Sequence, residues 1–401
     1  MSVSYIPEKV KTRLWGRAAG RCQYEGCNAP LWLDPVTKQE FNTSYIAHIV
    51  PDEPDGPRGD PVRSKVLKAD ISNLMLLCDT HHRLIDKEDV AAHAEARLLA
   101  MKLAHERRIE TVTAIGPSRQ GHIVLYGANI GDHASPVSYQ RAAEAMLPDR
   151  FPAETNPISL GMVNSSLRDK TADFWRVESE HLRSMFTTFV TPRLNRCEIS
   201  HLSVFALAPQ PLLVLLGSLL CDLPAAEVYQ LHREPPDWRW QPHPNGFDYQ
   251  VPEPPPSNAA PALVFALSAT VTDERITRAL GGPAAIWRVS IPKPNNDFLK
   301  SKTQAQQFRQ LVRPLMDRIK ARHGENTLLR VFPTMPVALA VDFGRILMPK
   351  ADLPLRIYDQ NHQSGGFAPA LDINRRPSES PLNLETPKNP RNYDNYNKAV
   401  R

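Results

Sequence analysis

Two adjacent histidines near the start of the chain pose a question of chemistry. The stretch LLCDTHHRLID (76–86) places His81 and His82 three and four positions after Cys78. If this stretch is helical, successive side chains diverge by about 100°, so the two imidazoles cannot easily serve one site. We therefore predict two separate sites, one for each histidine.

The first site has the composition of a structural zinc centre. Such zinc ions take four tetrahedral sulfur or nitrogen ligands, usually paired through short loops. Cys22 and Cys27 form one pair, and Cys78 with His81 forms a second pair further along the chain. The alternative is that these four residues are scattered by chance among buried positions, and we favour zinc.

The second site gathers side chains suited to hydrolysis at a metal ion. Asp86 follows His82 by four positions, so a carboxylate and an imidazole share one helical face and can hold a divalent ion. His48 lies in the strand-like stretch FNTSYIAHIV, and a neutral imidazole is the usual base for activating water near neutral pH. Asn73 either fixes the geometry around His48 or ligates the metal.

The motifs AHIVP, NLMLLC and CDTHH, in this order, resemble an HNH endonuclease, the ββα-metal nuclease module, over roughly residues 15–90. The resemblance implies that His48 is the general base, Asn73 the middle residue and His82 a ligand of a catalytic Mg²⁺ or Mn²⁺. Asp86 occupies the position where some members place a further ligand. One departure is Ala47, because many members have an acidic residue or histidine just before the base.

The composition of the chain limits what can position these residues. Its 401 residues are 42% hydrophobic and 23% charged, which is typical of a soluble protein with two or three domains. We find no signal peptide and no run able to span a membrane, and expect a cytoplasmic protein without a membrane partner. Net charge is +5, but the first 110 residues carry 16 basic and 16 acidic side chains, so composition alone does not indicate DNA.

The chain after residue 120 has the pattern of an α/β domain. Apolar runs that end in small-residue or proline loops, HIVLYGANIG, ALVFALSATV and LLRVFPTMPVALAV, indicate buried parallel strands that lead into helices. FALAPQPLLVLLG and FPTMPVALAVDFG share Phe, Pro and Gly at a constant offset of 127 residues, which predicts a duplicated unit. Loops at the carboxyl ends of such strands are where nucleotides usually bind.

The stretch FPTMPVALAVDFGRILMPK followed by IYDQN resembles a SAVED domain, a fused pair of CARF-like Rossmannoid units that senses cyclic oligonucleotides. An HNH nuclease fused to SAVED resembles the DNA-degrading effector of CBASS anti-phage systems. The implied fold is a multidomain α+β and α/β chain. It has a zinc-stapled HNH domain with its linker helix at 1–115, a SAVED domain at 120–375, and a flexible or draped tail at 376–401.

The same resemblance implies a signalling role. A cyclic dinucleotide of the cGAMP type, made by a partner nucleotidyltransferase, would activate the degradation of double-stranded DNA. Ligand binding would also drive assembly into a homo-oligomer, expected to be a tetramer.

Candidate ligand-binding residues lie in the loops at strand ends and on a following helix. A carboxylate there can accept hydrogen bonds from guanine N1–H and N2–H, an aromatic ring can stack on a base, and an arginine can pair with phosphate. For the aromatic candidates, core packing is an equally good interpretation. The candidates are Tyr126, Asn129, Asp132, Trp175, Arg176, Ser268, Thr270, Thr334 and Met335.

Two other functions stay open from the sequence. The first is an ungated restriction-type HNH nuclease whose second domain reads modified DNA. The second is a non-catalytic zinc protein that binds nucleotides and acts as a regulator. Digestion of a plasmid with magnesium, with and without cyclic dinucleotides, separates these functions from the gated nuclease.

Overall fold

The structure is a computed structural model that describes residues 5–133, 135, 137–162, 165–221, 226–361 and 366–374. It divides into two compact units. The first contains residues 1–121 and 146–153, and the second contains residues 122–145 and the chain from 154 onward. The predicted tail at 376–401 lies outside the described residues. Among the helices described, none is long and apolar enough to cross a membrane.

The first unit is built around a two-stranded hairpin with helices on it. Its antiparallel strands pair Ser44 with Cys78 and His48 with Leu74, and a short helix follows the second strand without a gap. Apolar side chains from the strands and from the two longer helices form one core. The elements are α1 (Glu8–Ala18), β1 (Ser44–His48), α2 (Arg63–Leu67), β2 (Leu74–Cys78), α3 (Asp79–Arg83) and α4 (Glu95–Thr113).

The chain from residue 120 alternates strands and helices, as the apolar runs predict. The elements are β3 (Gln120–Gly127), α5 (Tyr139–Met146), β4 (Phe151–Pro152), β5 (Ile158–Ser159), α6 (Ala172–Phe189), α7 (Thr191–Asn195), β6 (Leu202–Leu207), α8 (Gln210–Leu219), β7 (Ala226–Tyr229), β8 (Ala260–Ala266), α9 (Asp273–Leu280), β9 (Ala284–Ser290), α10 (Lys302–His323), β10 (Leu329–Thr334), α11 (Val337–Arg345), β11 (Leu355–Asn361) and β12 (Gly366–Ile373).

Two sheets of the second unit repeat one arrangement. In the first, β3 lies between β5 and β6, and β7 pairs with β6. In the second, the order is β9, β8, β10 and β11, with β12 antiparallel on the outer edge of β11. Strand β10 begins 127 positions after β6, and α11 begins 127 positions after α8. The sequence echo therefore corresponds to a repeated strand, helix, strand unit.

The two repeated helices cross at a pair of glycines. A Cβ atom added to Gly217 in α8 would lie 2.0 Å from the carbonyl oxygen of Val341. One added to Gly344 in α11 would lie 2.1 Å from the carbonyl oxygen of Val214. Both helices are buried over most of their surface, so their backbones cannot separate without opening the core. The two glycines of the sequence echo are thus what permits the two halves to pack closely.

We expect Gly217→Ala to destabilise the second unit by about 1–3 kcal/mol, because overpacking a dense core forces backbone shifts. The clash is with backbone, so no change of side-chain rotamer relieves it. Thermal or urea unfolding measures the effect. Gly282→Ala is the matched control, since a Cβ there meets no atom within 4 Å. Equal unfolding free energies for the two variants would contradict the conclusion that Gly217 permits the close packing of α8 on α11.

Candidate functional site

The structure brings the four predicted zinc ligands together. One ligand atom from each of Cys22, Cys27, Cys78 and His81 lies within 4.8 Å of the others. The Nδ1 atom of His81 is 3.1 Å from the Cys78 sulfur and 3.8 Å from the Cys22 sulfur. Burial raises the pKa of the Cys22 thiol to about 12, so binding of a cation must release that proton. The donor set and its spacing fit a tetrahedral zinc ion.

Local backbone geometry explains why the first two cysteines face one point. Gly26 adopts a φ of 77°, a region that glycine enters without the penalty of a Cβ atom. The loop closes through hydrogen bonds from Cys27 N to Tyr24 O at 3.1 Å and from Cys22 N to Ala29 O at 3.0 Å. The four intervening residues therefore form a tight turn whose two sulfurs converge.

A series of contacts through Tyr24 and His93 supports the His81 ring. The Tyr24 ring stacks on the His81 ring, with centroids 4.1 Å apart and an interplanar angle of 14°. The Tyr24 hydroxyl lies 3.0 Å from His93 Nε2, while His93 Nδ1 lies 2.6 Å from the carbonyl of Asp89. A carbonyl only accepts, so Nδ1 carries the proton and Nε2 accepts from the hydroxyl. Such outer contacts fix the orientation of metal-binding rings.

The predicted base, His48, is buried at the end of β1 and has a defined tautomer. Its side chain is 6% exposed, and its Nε2 lies 2.9 Å from the carbonyl oxygen of Lys68. Because a carbonyl cannot donate, Nε2 must carry the proton. The neutral ring therefore keeps an unprotonated Nδ1, which is the state a general base requires.

Asn73 holds the backbone that follows His48. Its amide oxygen accepts from Val50 N at 2.8 Å, and its amide nitrogen donates to Val50 O at 2.8 Å and to Leu67 O at 3.2 Å. Its own carbonyl accepts from Ile49 N at 2.9 Å. The sequence left open whether this side chain orients the loop or ligates a metal, and these contacts match the orienting role.

His82 points away from the cysteine cluster and meets Asp86. The His82 Nε2 lies 3.4 Å from one carboxylate oxygen of Asp86, and the ring stacks on Tyr45 of β1 with centroids 5.0 Å apart. Burial lowers the pKa of His82, against the opposing effect of Asp86, which favours a neutral ring able to coordinate a cation. The two adjacent histidines thus face different partners.

Arg58 links the two parts of this site, and sequence reasoning missed it. Its guanidinium donates to the carbonyl of Ile49 at 3.0 Å, to the carbonyl of Ile85 at 2.7 Å and to Asp86 at 2.8 Å. The side chain is only 9% exposed. It comes from the loop PDEPDGPRGDP, whose polar composition alone gave no sign that its arginine turns inward.

The second unit has a separate cavity of about 560 Å³ at the carboxyl ends of its strands. The amino ends of α8 and α11 both open onto it, through Pro209 with Gln210 and through Pro336 with Val337. A hydrogen bond connects the amino end of α8 with the loop between β10 and α11: the Gln210 side-chain amide donates to Met335 O at 2.6 Å. The remaining polar lining includes Gln230, His232, Arg233, Ser268, Asn296, Thr334, Asp359 and Gln360.

Three of the nine predicted ligand residues, Ser268, Thr334 and Met335, line this cavity. Two others are core residues. Tyr126 is fully buried, and Trp175 packs edge-on against Phe174 at 5.0 Å.

The other four predicted ligand residues also lie outside the cavity lining. Asn129 donates to the backbone carbonyls of Ser165 and Leu167 at 2.8 and 2.9 Å. Three more are exposed: Asp132, which pairs with Lys170 at 3.1 Å, Arg176, which pairs with Asp173 at 3.2 Å, and Thr270.

Comparisons with known proteins add the following findings. No curated protein matches the chain. An Acinetobacter baumannii Cap4 SAVED/CARF-domain containing receptor, solved with the cyclic trinucleotide 2'3'3'-cAAA, shares 11% identity at a TM-score of 0.40 over 70% of this chain and 56% of that one. A Moraxella osloensis Cap4 SAVED/CARF-domain containing receptor shares 10% identity at a TM-score of 0.38, over 69% of this chain and 54% of that one.

The chain thus spans little more than half the length of these solved proteins. A match to a family model covers much of the second unit, including both repeated helices and most strands that border the cavity. Residues 182–373 match the SAVED family, described as the SMODS-associated and fused to various effectors sensor domain.

Proposed function

We propose that the chain is a metal-dependent endonuclease that degrades double-stranded DNA in anti-phage defence when a cyclic oligonucleotide binds its second unit. The link between His48 and Asp86 carries the nuclease half of this proposal, because Arg58 donates both to the carbonyl of Ile49, next to His48, and to the Asp86 carboxylate. The Nε2 proton of His48 is committed to the Lys68 carbonyl, and its Nδ1 is left to accept a proton. The match of residues 182–373 to a sensor-domain family supports the sensing half.

The chemistry assigned to His48 is general-base catalysis of phosphodiester hydrolysis. Nδ1 takes a proton from a water molecule as the water oxygen attacks phosphorus, and the bond from phosphorus to the 3′-oxygen breaks. Asn73 and Arg58 position His48, since they hold the backbone of Ile49 and Val50 that follows it. A base held in this way typically contributes about 10²–10⁴-fold to the rate.

His82 and Asp86 are the residues suited to hold the catalytic cation. Their nearest ligand atoms are 3.4 Å apart, and the second oxygen of Asp86 accepts from Arg58. Ala47 offers no ligand, so water and substrate phosphate would complete the shell, as is usual for Mg²⁺. When bound, such an ion stabilises the charge that develops on the phosphate and on the leaving oxygen.

The cavity of the second unit suits a ligand with more than one phosphate. Backbone N–H groups and the dipole at a helix N-terminus favour anions, and here two such helix ends open onto one cavity. They belong to the two repeats, so a cyclic molecule that repeats its own phosphates can meet both at once. We infer a cyclic dinucleotide of the cGAMP type, made by a partner nucleotidyltransferase.

We expect the ligand to raise the particle mass and the cleavage rate together. A ligand shifts a conformational equilibrium only by binding one state more tightly. A rigid ligand that contacts the loops before α8 and α11 at once would bind more tightly to a state in which both loops close on it. A self-complementary surface would then form a homo-oligomer, expected to be a tetramer. Light scattering and plasmid cleavage, measured on one titration with Mg²⁺ or Mn²⁺, test this coupling.

Three outcomes of that titration count against parts of the proposal. Full activation without a change in particle mass would mean that the activating conformational change occurs within one chain and does not need assembly. Cleavage that does not depend on any cyclic nucleotide would favour the restriction-type nuclease. Binding without cleavage under every metal condition would favour a regulator that has no catalytic activity.

A further inference from the structure

One acidic side chain of the cavity lining bears on the choice of ligand. Asp359 lies near the carboxyl end of β11 and lines the cavity beside Gln360. Burial, and next the negative charge of Asp169, raise the pKa of Asp359 to about 7. Within the part of the chain that the structure describes, no side-chain donor lies within hydrogen-bond distance of its carboxylate.

Two other carboxylates of this unit have cationic partners. Asp342 pairs with Arg309 at 2.5 Å, and Asp372 pairs with Arg356 at 2.8 Å. Near the end of β11, the Arg275 guanidinium donates to the side chain of Gln360. The Asp359 carboxylate accepts a hydrogen bond from the backbone N–H of Gln360. A carboxylate has about four acceptor sites, so a ligand that reaches this cavity wall can supply further donors.

The cavity lining carries groups of both charge signs. Asp359 comes from β11, Arg233 follows β7, and the amino ends of α8 and α11 also line the cavity. Phosphates are repelled by a carboxylate and attracted by helix N-termini and arginine. A phosphate is therefore a poor partner for Asp359, whereas the neutral hydrogen-bond donors of a nucleobase are suitable partners.

We propose that Asp359 is the base-reading group of this cavity and that it selects a guanine, whose N1–H and N2–H groups present two adjacent donors to one carboxylate. This inference rests on the proposed binding of a cyclic oligonucleotide. Adenine fits an ionised carboxylate less well, because its N1 acceptor lies beside the N6 amino group and would face a second acceptor. An asparagine side chain, with one donor and one acceptor, matches adenine instead.

Calorimetric titration at about pH 8.5, above the pKa of Asp359 so that its carboxylate is ionised, tests the proposal with three probes: cyclic di-GMP, cyclic GMP–AMP and the all-adenine cyclic trinucleotide 3'3'3'-cAAA. We expect at least one guanine-containing probe to bind the full-length protein more tightly than the all-adenine probe. Asp359→Asn should weaken that binding by about 10- to 100-fold, the range of one bidentate base contact. It should leave affinity for the all-adenine probe unchanged or higher.

Asp317→Asn is the matched control, because it removes a carboxylate of the same unit that is exposed and paired with Arg313. It should change the affinity for each probe by less than the Asp359 variant does. If the all-adenine probe binds the wild-type protein best, or if Asp359→Asn leaves guanine binding intact, the base-reading role is overturned while nucleotide sensing stands. If no probe binds, the sensing proposal fails, and this inference fails with it.

Discussion

Replacement of His48 by alanine is expected to lower the rate of DNA cleavage by about 10²–10⁴-fold, the usual contribution of a general base. The substitution removes the only proton acceptor that we assign to the attacking water. It leaves the cysteine cluster untouched, so zinc content should be unchanged. Initial rates of plasmid nicking at saturating ligand and Mg²⁺ measure the effect, and metal analysis and calorimetric titration check zinc and ligand binding.

His105 provides a matched control for that variant. It is buried to nearly the same degree, 7% exposed against 6% for His48, and its Nε2 likewise lies 3.0 Å from a backbone carbonyl, that of Ala18. His105→Ala should therefore lose similar packing and one similar hydrogen bond while retaining cleavage. Cleavage near the wild-type rate in His48→Ala, or an equal loss in both variants, would contradict the assignment of His48 as the base.

The cluster of three cysteines and His81 could be predicted because short loops fix most of its geometry. A four-residue spacing between two cysteines, and a two-residue spacing between Cys78 and His81, leave few ways for the ligand atoms to point. The pairing of β1 with β2 then brings Ser44 opposite Cys78, and the helix that carries both histidines follows at once. Local chemistry and a single hairpin were enough to predict this site.

The ligand cavity could not be predicted in the same way, because loops far apart in the chain form it. Gln210 and Met335 meet although 125 residues separate them, and Asp359 comes from the fourth strand of the second sheet. Loop position alone suggested Asp132, but a lysine satisfies that carboxylate at the surface. Trp175 and Arg176 are adjacent on a helix, where successive side chains point about 100° apart. Trp175 is buried in the core and Arg176 is exposed, so the two do not serve one site.

Arg58 shows a further limit of reasoning from sequence. It adopts a φ of 67°, which residues with a Cβ seldom do, and the next residue, Gly59, has no room for a side chain because a Cβ there would lie 2.1 Å from Pro54 O. The composition of PDEPDGPRGDP, rich in Pro, Gly and Asp, indicates only a polar loop at this place. Only the three-dimensional contacts show that the loop turns one arginine inward to Asp86.

The two candidate metal sites are coupled through the backbone of α3, because this helix carries one residue of each site. This helix has five residues, with His81 directed to the cysteines and His82 directed to Asp86. A change at either histidine can therefore disturb the other site through the backbone. Any test that separates the two histidines must measure zinc content, folding and cleavage on the same protein sample.

We expect His81→Ala to lower the zinc content of the protein and to destabilise the first unit. Structural zinc contributes its binding free energy directly to folding, and the loss of one of four ligands opens the site. Loss of cleavage should follow as a consequence of unfolding. Metal analysis by atomic absorption and a thermal melt measure these effects, and a melt after chelation of the wild-type protein should show the same loss of stability.

His82→Ala should behave in the opposite way. It leaves the three cysteines and His81 in place, so zinc content and the melt of the first unit should stay close to those of the wild-type protein. Cleavage should fall by about 10²-fold or more, because even changes behind a metal ligand cost 10- to 100-fold. Equal zinc loss in the two variants would show that the adjacent side chains do not serve separate sites. Intact cleavage in His82→Ala would remove His82 from the proposed catalytic metal site and leave Asp86 as its remaining protein ligand.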